Sequence, residues 1–120
     1  MILIIDDDIA VRTSLQLLLK SEGYEVVDSP VPGEALTIIK KRHPELIILD
    51  LNFSIATSGE AGMSLLSRIR QLDPAIPVIL ITGWGSIAMA VKGMKLGAND
   101  FINKPWNNDH LLQSVKTLLD

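Results

Sequence analysis

Short, nearly unbroken apolar runs that alternate with longer stretches of helical period constrain this chain's fold more than any other feature. The runs are "ILII" at 2–5, "YEVVD" at 24–28, "ELIILD" at 45–50, "PVILIT" at 77–82 and "DFIN" at 100–103. Each has strand length, and three are apolar enough that both faces of the strand must be covered. The stretches between them repeat at helical spacing. Val11, Leu15, Leu18 and Leu19 fall on one face of a first helix, which Asp8 is placed to cap. Pro32 suits the first position of a second helix, which must stop before Pro44. Leu65, Leu66, Ile69 and Leu72 stripe a third helix, ended near Pro74. Ile87, Val91 and Met94 mark a fourth, closed by Gly97. Leu111, Leu112, Val115, Leu118 and Leu119 mark a fifth, capped by Asn107 or Asn108.

Five strand–helix units in 120 residues predict an α/β fold. The simplest is a doubly wound, five-stranded parallel sheet in the flavodoxin-like order 2-1-3-4-5, with five helices. Residues 1–120 read as one domain, long enough for one core and short for two, without repeat, low-complexity tract or linker. Hydrophobic residues make up 48 % and aromatics only 4 %, so the core is aliphatic. A net charge of −3 without a basic block argues against direct nucleic-acid binding by this domain or attachment to an anionic membrane. The lack of cysteine excludes disulfides and thiolate metal sites. No apolar run nears the roughly 18 residues of a membrane span. No signal-peptide pattern precedes the first strand, and the expected location is cytoplasmic.

In open α/β sheets, sites form beyond the carboxyl ends of the strands, where the strand order reverses. The first strand runs into Asp6 and Asp7, the third ends in Asp50, the fourth in Thr82, and the fifth leads to Lys104 and Pro105. In the expected order the first and third strands are neighbours, so the three acids meet at the reversal point, with Thr82 and Lys104 reaching in from the side. Asp28 also ends a strand, but at the far edge, where it should stand idle. Taken singly, each residue has an ordinary reading: an Asp after a strand is commonly a turn or cap, Thr82 a β-branched strand residue, and Lys104 a solvated charge. Four strands delivering acid, acid, hydroxyl and amine to one edge is a different matter.

Carboxylates about 4 Å apart repel by about 4 kcal/mol at an effective dielectric near 20. Such a cluster is tolerable when a divalent cation or an ammonium offsets it. Oxygen-only donors, without Cys or a nearby His, favour a hard cation, and few protein ligands suit hydrated Mg²⁺. A carboxylate can also attack phosphorus to give an aspartyl phosphate. Phosphoryl transfer asks mainly for positioning and charge stabilisation, which a metal, a cation and a hydroxyl supply. Asp50, on the central strand with partners on either side, is the best nucleophile candidate.

The segments "IIDDDIAVR", "LIILDLN", "VILITG" and "GANDFINKPW", in this order, closely resemble the receiver domain of bacterial two-component response regulators, a CheY-like fold, over essentially the whole chain. The resemblance implies that Asp50 is the phosphoacceptor, charged by a cognate histidine kinase. It implies Mg²⁺ held by the Asp7 and Asp50 carboxylates and the Asn52 backbone carbonyl, with Asp6 helping mostly through water. Lys104 would pair with the phosphoryl group, next to a Lys104–Pro105 bond that family members commonly keep cis. Thr82 and Phe101 would be the switch pair, one turning toward the phosphate and the other filling the space vacated.

Departures from the family pattern sit beside the site. Phe53 and Ser54 stand where receivers usually carry Met-Pro, and the stretch to Gly62 is a few residues long for its type. Phe101 replaces the more frequent Tyr, losing any hydroxyl contact. Trp84 is bulky for a site mouth and could shield an acyl phosphate from water. Trp106, beside Lys104–Pro105, reads as packing.

The leading expectation is a phosphorylation-activated switch whose fourth helix, fifth strand and fifth helix form the responsive face. The alternative is a Mg²⁺-dependent phosphohydrolase of the haloacid-dehalogenase type. That family takes its nucleophile from a D-x-D at the first strand and adds a late acidic pair, and "DDDIA" fits it poorly. A receiver-like module that is never phosphorylated is disfavoured by the intact acids, Thr82 and Lys104. The stretch "GWGSIAMAVKGMKLGANDFINKPW" is most similar to receivers of the NtrC-like type. In those, an ATPase domain acting on σ54 polymerase and a DNA-binding domain follow, and transcription is the output. The resemblance also implies a homodimer in the phosphorylated state.

Overall fold

A computed structural model describes residues 1–51, 60–83 and 87–120; of residues 60, 61 and 87 it describes the backbone alone. Five strands and five helices alternate: β1 (Ile2–Ile5), α1 (Ile9–Ser21), β2 (Val26–Ser29), α2 (Pro32–Arg42), β3 (Leu46–Asp50), α3 (Glu60–Leu72), β4 (Val78–Thr82), α4 (Ile87–Lys95), β5 (Asp100–Asn103) and α5 (Asn108–Leu119). The strands pair in parallel in the order β2-β1-β3-β4-β5, as the alternating pattern predicts. The register sets Ile4 opposite Ile48 and Asp50 opposite Ile81.

The two faces of the sheet explain why its strands read as continuous apolar runs. Ile2, Ile4, Leu46, Ile48, Ile79, Ile81 and Ile102 pack with Leu15 and Leu19 of α1 and Leu111 and Val115 of α5. The alternate residues Leu3, Ile5, Ile47, Leu49, Val78 and Leu80 pack with α2 and α3 on the other face. The three inner strands β1, β3 and β4 therefore bury both parities of their side chains, while the edge strands β2 and β5 are only partly covered. Truncating a fully buried residue such as Ile48 to Ala would cost about 2–5 kcal/mol.

Local signals fix the helix starts. The Asp8 side chain accepts the Ala10 N–H at 2.9 Å, and Asn107 accepts the His110 N–H at 3.1 Å, which resolves the choice between Asn107 and Asn108. Pro32 occupies the first turn of α2, and His43 ends that helix in the left-handed region at φ 48°. Gly62, in the first turn of α3, cannot carry a side chain, because a Cβ there would lie 2.8 Å from the backbone of Leu51. The helix thus rests directly on the chain that leaves Asp50.

Two helical stripes depart from expectation. Val91 and Met94 of α4 are 46 % and 44 % exposed, not turned into the core. The buried side of α4 is Gly93, where an added Cβ would lie 2.3 Å from Leu80 Cδ1, with Met89 packed against the core beside it. The close approach at Gly93 sets the rotation of the helix and leaves the larger apolar residues outside. Leu72 lies at the end of α3 and is likewise exposed. At the opposite end of the sheet from the acids, Arg70 donates to the carbonyls of Gly97 (2.9 and 2.6 Å) and Ile76 (2.6 Å) and to the Asn99 side chain (3.0 Å). That one side chain pins the turns entering β4 and β5.

Candidate functional site

The three successive acids after β1 take three different positions. The Asp6 N–H donates to the Ser29 carbonyl at 3.2 Å, carrying the β1–β2 pairing one step past the strand. Its carboxylate turns inward, only 2 % exposed, and Oδ1 accepts the Asp8 N–H at 2.9 Å. Asp7 is exposed, and Asp8 caps α1. Of the three, only Asp8 turns away, onto the start of the helix.

Asp50, the last residue of β3, is 3 % exposed. The Lys104 N–H donates to the Thr82 carbonyl at 2.7 Å, which extends the β4–β5 pairing and aims the lysine at the centre of the sheet. Its ammonium stands 3.1 Å from Asp50 Oδ2 and 3.5 Å from Asp6 Oδ2. The Lys104–Pro105 peptide is cis. One carboxylate oxygen each of Asp6, Asp7 and Asp50 lie within 4.8 Å of one another, so the three could hold a metal ion together. Burial pushes the Asp6 carboxyl up to about 7, and the Asp50 charge pushes the same way, against the Asp8 N–H and Lys104. Among the described residues the Lys104 ammonium stands against two buried acids with a third beside them, a surplus of negative charge that a divalent cation would offset. The donor set, all oxygen with two acids buried and one open to solvent, fits a hard, partly hydrated ion.

Asp6, Asp7, Asp50 and Lys104 are therefore brought together. Thr82 is fully buried at the end of the neighbouring strand. Phe101 stands opposite Leu80 and packs, half-buried, on the α2–α3 face of the sheet. Asn52, whose backbone carbonyl is an expected metal ligand, lies outside the described residues, as do Phe53, Ser54, most of the stretch to Gly62, and Trp84. Trp106 packs against the α1–α5 core and donates its Nε1–H to Asn108 Oδ1 at 3.1 Å, in keeping with a packing role.

Asp28 is not idle. Its Oδ2 accepts from Arg12 Nε at 3.0 Å, and Arg12 Nη1 donates to the Asp6 carbonyl at 2.8 Å. The edge acid is thus linked to the acid cluster through a residue of α1 that sequence reasoning passed over. Arg12 lies one turn past the Asp8 cap, and nothing local in the sequence points it at Asp28, sixteen residues away.

Residues 2–116 match the family model described as the response regulator receiver domain. This chain belongs to the response regulator receiver family. The receiver is 37 % identical over 115 residues to a putative NtrX-like response regulator of Rickettsia typhi, covering 96 % of this chain and 24 % of that protein. It is 35 % identical over 118 residues to the transcriptional regulatory protein ZraR of Escherichia coli O157:H7, covering 98 % of this chain and 26 % of that one. The crystal structure of the receiver domain of NtrX from Brucella abortus superposes with a TM-score of 0.91 at 34 % identity, covering 99 % of this chain and 98 % of that one. The receiver spans about half or less of the curated relatives it matches. Receiver domains are the switch modules of two-component signalling, and the NtrX-like and ZraR relatives are regulators of the NtrC-like type. The phosphohydrolase alternative is not supported. No described helix is long and apolar enough to cross a membrane.

Proposed function

We propose that this receiver is a phosphorylation-activated switch in which Asp50 takes a phosphoryl group from a cognate histidine kinase in a Mg²⁺-dependent reaction. The observation that carries this reading is the meeting of Asp6, Asp7 and Asp50 against the Lys104 ammonium. Asp7, Asp50 and the Asn52 backbone carbonyl would hold the ion, with Asp6 acting mostly through water. Bound there, Mg²⁺ would offset the like charges and neutralise charge on the transferring oxygens.

The chain's own residues do the rest. An Asp50 carboxylate oxygen forms the new P–O bond as the P–N bond of a phosphohistidine breaks. The electron pair leaves on the imidazole nitrogen, which takes up a proton. Lys104, already on Asp50 Oδ2, pairs with a phosphoryl oxygen. Phosphorylation replaces one carboxylate by about −1.5 to −2 of charge with new acceptors. The Thr82 hydroxyl turns toward the phosphoryl oxygens in that state, and Phe101 moves into the space released, so the modification biases a two-state element and need not build a new one. The face of α4, β5 and α5, where Val91 and Met94 stand exposed, would carry the change to a homodimer. The role is regulatory, the domain catalysing only its own phosphorylation and dephosphorylation in the cytoplasm. The output would be transcription, through ATPase and DNA-binding domains beyond the receiver; ZraR is by name a transcriptional regulatory protein, and NtrX of Brucella abortus, of which the receiver covers 25 %, is known in complex with ADP.

Phos-tag electrophoresis after incubation with acetyl phosphate and Mg²⁺ tests the reading. The wild-type band should shift and the Asp50→Asn band should not. Equal shifts, or turnover of a phosphatase substrate by Asp50→Asn, would overturn it.

A further inference from the structure

The Asp6 backbone is held at both of its polar atoms, its N–H by Ser29 and its carbonyl by Arg12 Nη1. The Arg12 N–H in turn donates to the Asp8 carbonyl at 3.1 Å, as the first turn of α1 requires. Residues 6 to 12 therefore form a turn closed by hydrogen bonds: strand end, the exposed Asp7, the capping Asp8, one turn of helix, and a guanidinium that returns to the strand end. Asp7 has its flanking residues fixed on both sides by this closure. Arg12 is 12 % exposed and Asp28 35 % exposed in their side chains. Asp28 both aims the guanidinium and cancels its charge, so the closure adds no net positive charge where a cation would have to bind.

We propose that Arg12 is a positioning residue for the acid cluster, tying the Asp6 carbonyl to Asp28 and so fixing where the Asp6 and Asp7 carboxylates stand. The proposal rests on the Mg²⁺-dependent reading above. It separates from a through-space effect by sign. Arg12→Ala alone leaves Asp28 uncompensated, and the added negative charge should tighten Mg²⁺ binding if charge were all that mattered. The double variant Arg12→Ala/Asp28→Ala removes one charge of each sign and leaves only the lost closure.

Calorimetric titration of Mg²⁺ into the metal-free chain, together with amide hydrogen exchange at Asp8, tests this. The double variant should bind Mg²⁺ about tenfold more weakly, the scale at which groups supporting metal ligands act. Its Asp8 amide should exchange faster, while core amides of β3 keep wild-type protection. Arg12→Lys, whose ammonium cannot fork between both partners, should fall between wild type and the double variant. Wild-type Mg²⁺ binding with unchanged affinity and Asp8 exchange in the double variant would overturn the role of Arg12 alone. A wild-type chain that takes up no Mg²⁺ would overturn the reading of the site and this proposal with it.

Discussion

Asp50 and Asp28 stand at the same end of the same sheet, yet their surroundings make them opposites. Asp50 closes the central strand, buried, with one ammonium on Oδ2 and two further acids close by. Asp28 lies near the end of the edge strand, partly exposed, with its charge taken up by the Arg12 guanidinium. A carboxylate matched by a guanidinium has its charge and geometry spoken for. A carboxylate crowded by like-charged neighbours is where a cation, and then an incoming phosphoryl group on its far side, relieves the most repulsion. Strand order creates the difference: the reversal point gathers side chains from three strands, whereas the edge strand has one neighbour.

The largest effect should come from exchanging the two roles. Asp28→Asn should retain phosphoryl uptake from acetyl phosphate, where Asp50→Asn loses it altogether. Loss in both would show that the edge acid belongs to the chemistry. Next, Lys104→Ala removes the ammonium from Asp50 and should slow phosphoryl uptake by about 10²–10³-fold, the scale of removing one charge-stabilising donor. Single-turnover kinetics with acetyl phosphate measure it, and a change under threefold would place Lys104 outside the reaction.

A smaller effect follows from burial at the centre. Folded, metal-free protein keeps the Asp6 proton up to about pH 7, whereas the unfolded chain releases it near 3.8. The folded state then binds more protons between those values, so the Asp6 contribution to stability falls as pH rises through that window and is lost above it. Urea unfolding in EDTA should show Asp6→Asn gaining on wild type from pH 4 to 7; a constant difference between the two would contradict the assignment. The smallest effect belongs to the edge. The partly exposed Arg12–Asp28 pair is screened, and Asp28→Asn should cost at most about 1 kcal/mol of stability, read as a small fall in the urea midpoint.

What the sequence made legible is local or periodic. The apolar runs mark all five strands, Asp8 and Pro32 mark helix starts, and reading the residue after each strand picks out the acids that meet. What escaped depends on packing between distant segments. Val91 and Met94 carry a core-like spacing, but the contact of Gly93 with Leu80 rotates them outward, and a glycine leaves no mark in a hydrophobic pattern. Arg12 and Arg70 look like ordinary surface cations of helices. Their partners, Asp28 and the turn at Gly97–Asn99, lie far along the chain and meet them only once the sheet has formed.

The most direct measurement locates the phosphoryl group. The chain would be incubated with acetyl phosphate, reduced with borohydride to convert an aspartyl phosphate to homoserine, and mapped by peptide mass spectrometry. The account predicts homoserine at position 50, present with Mg²⁺ and absent with EDTA. Modification at Asp6, Asp7 or Asp28, or labelling of Asp50 that is indifferent to Mg²⁺, would contradict it.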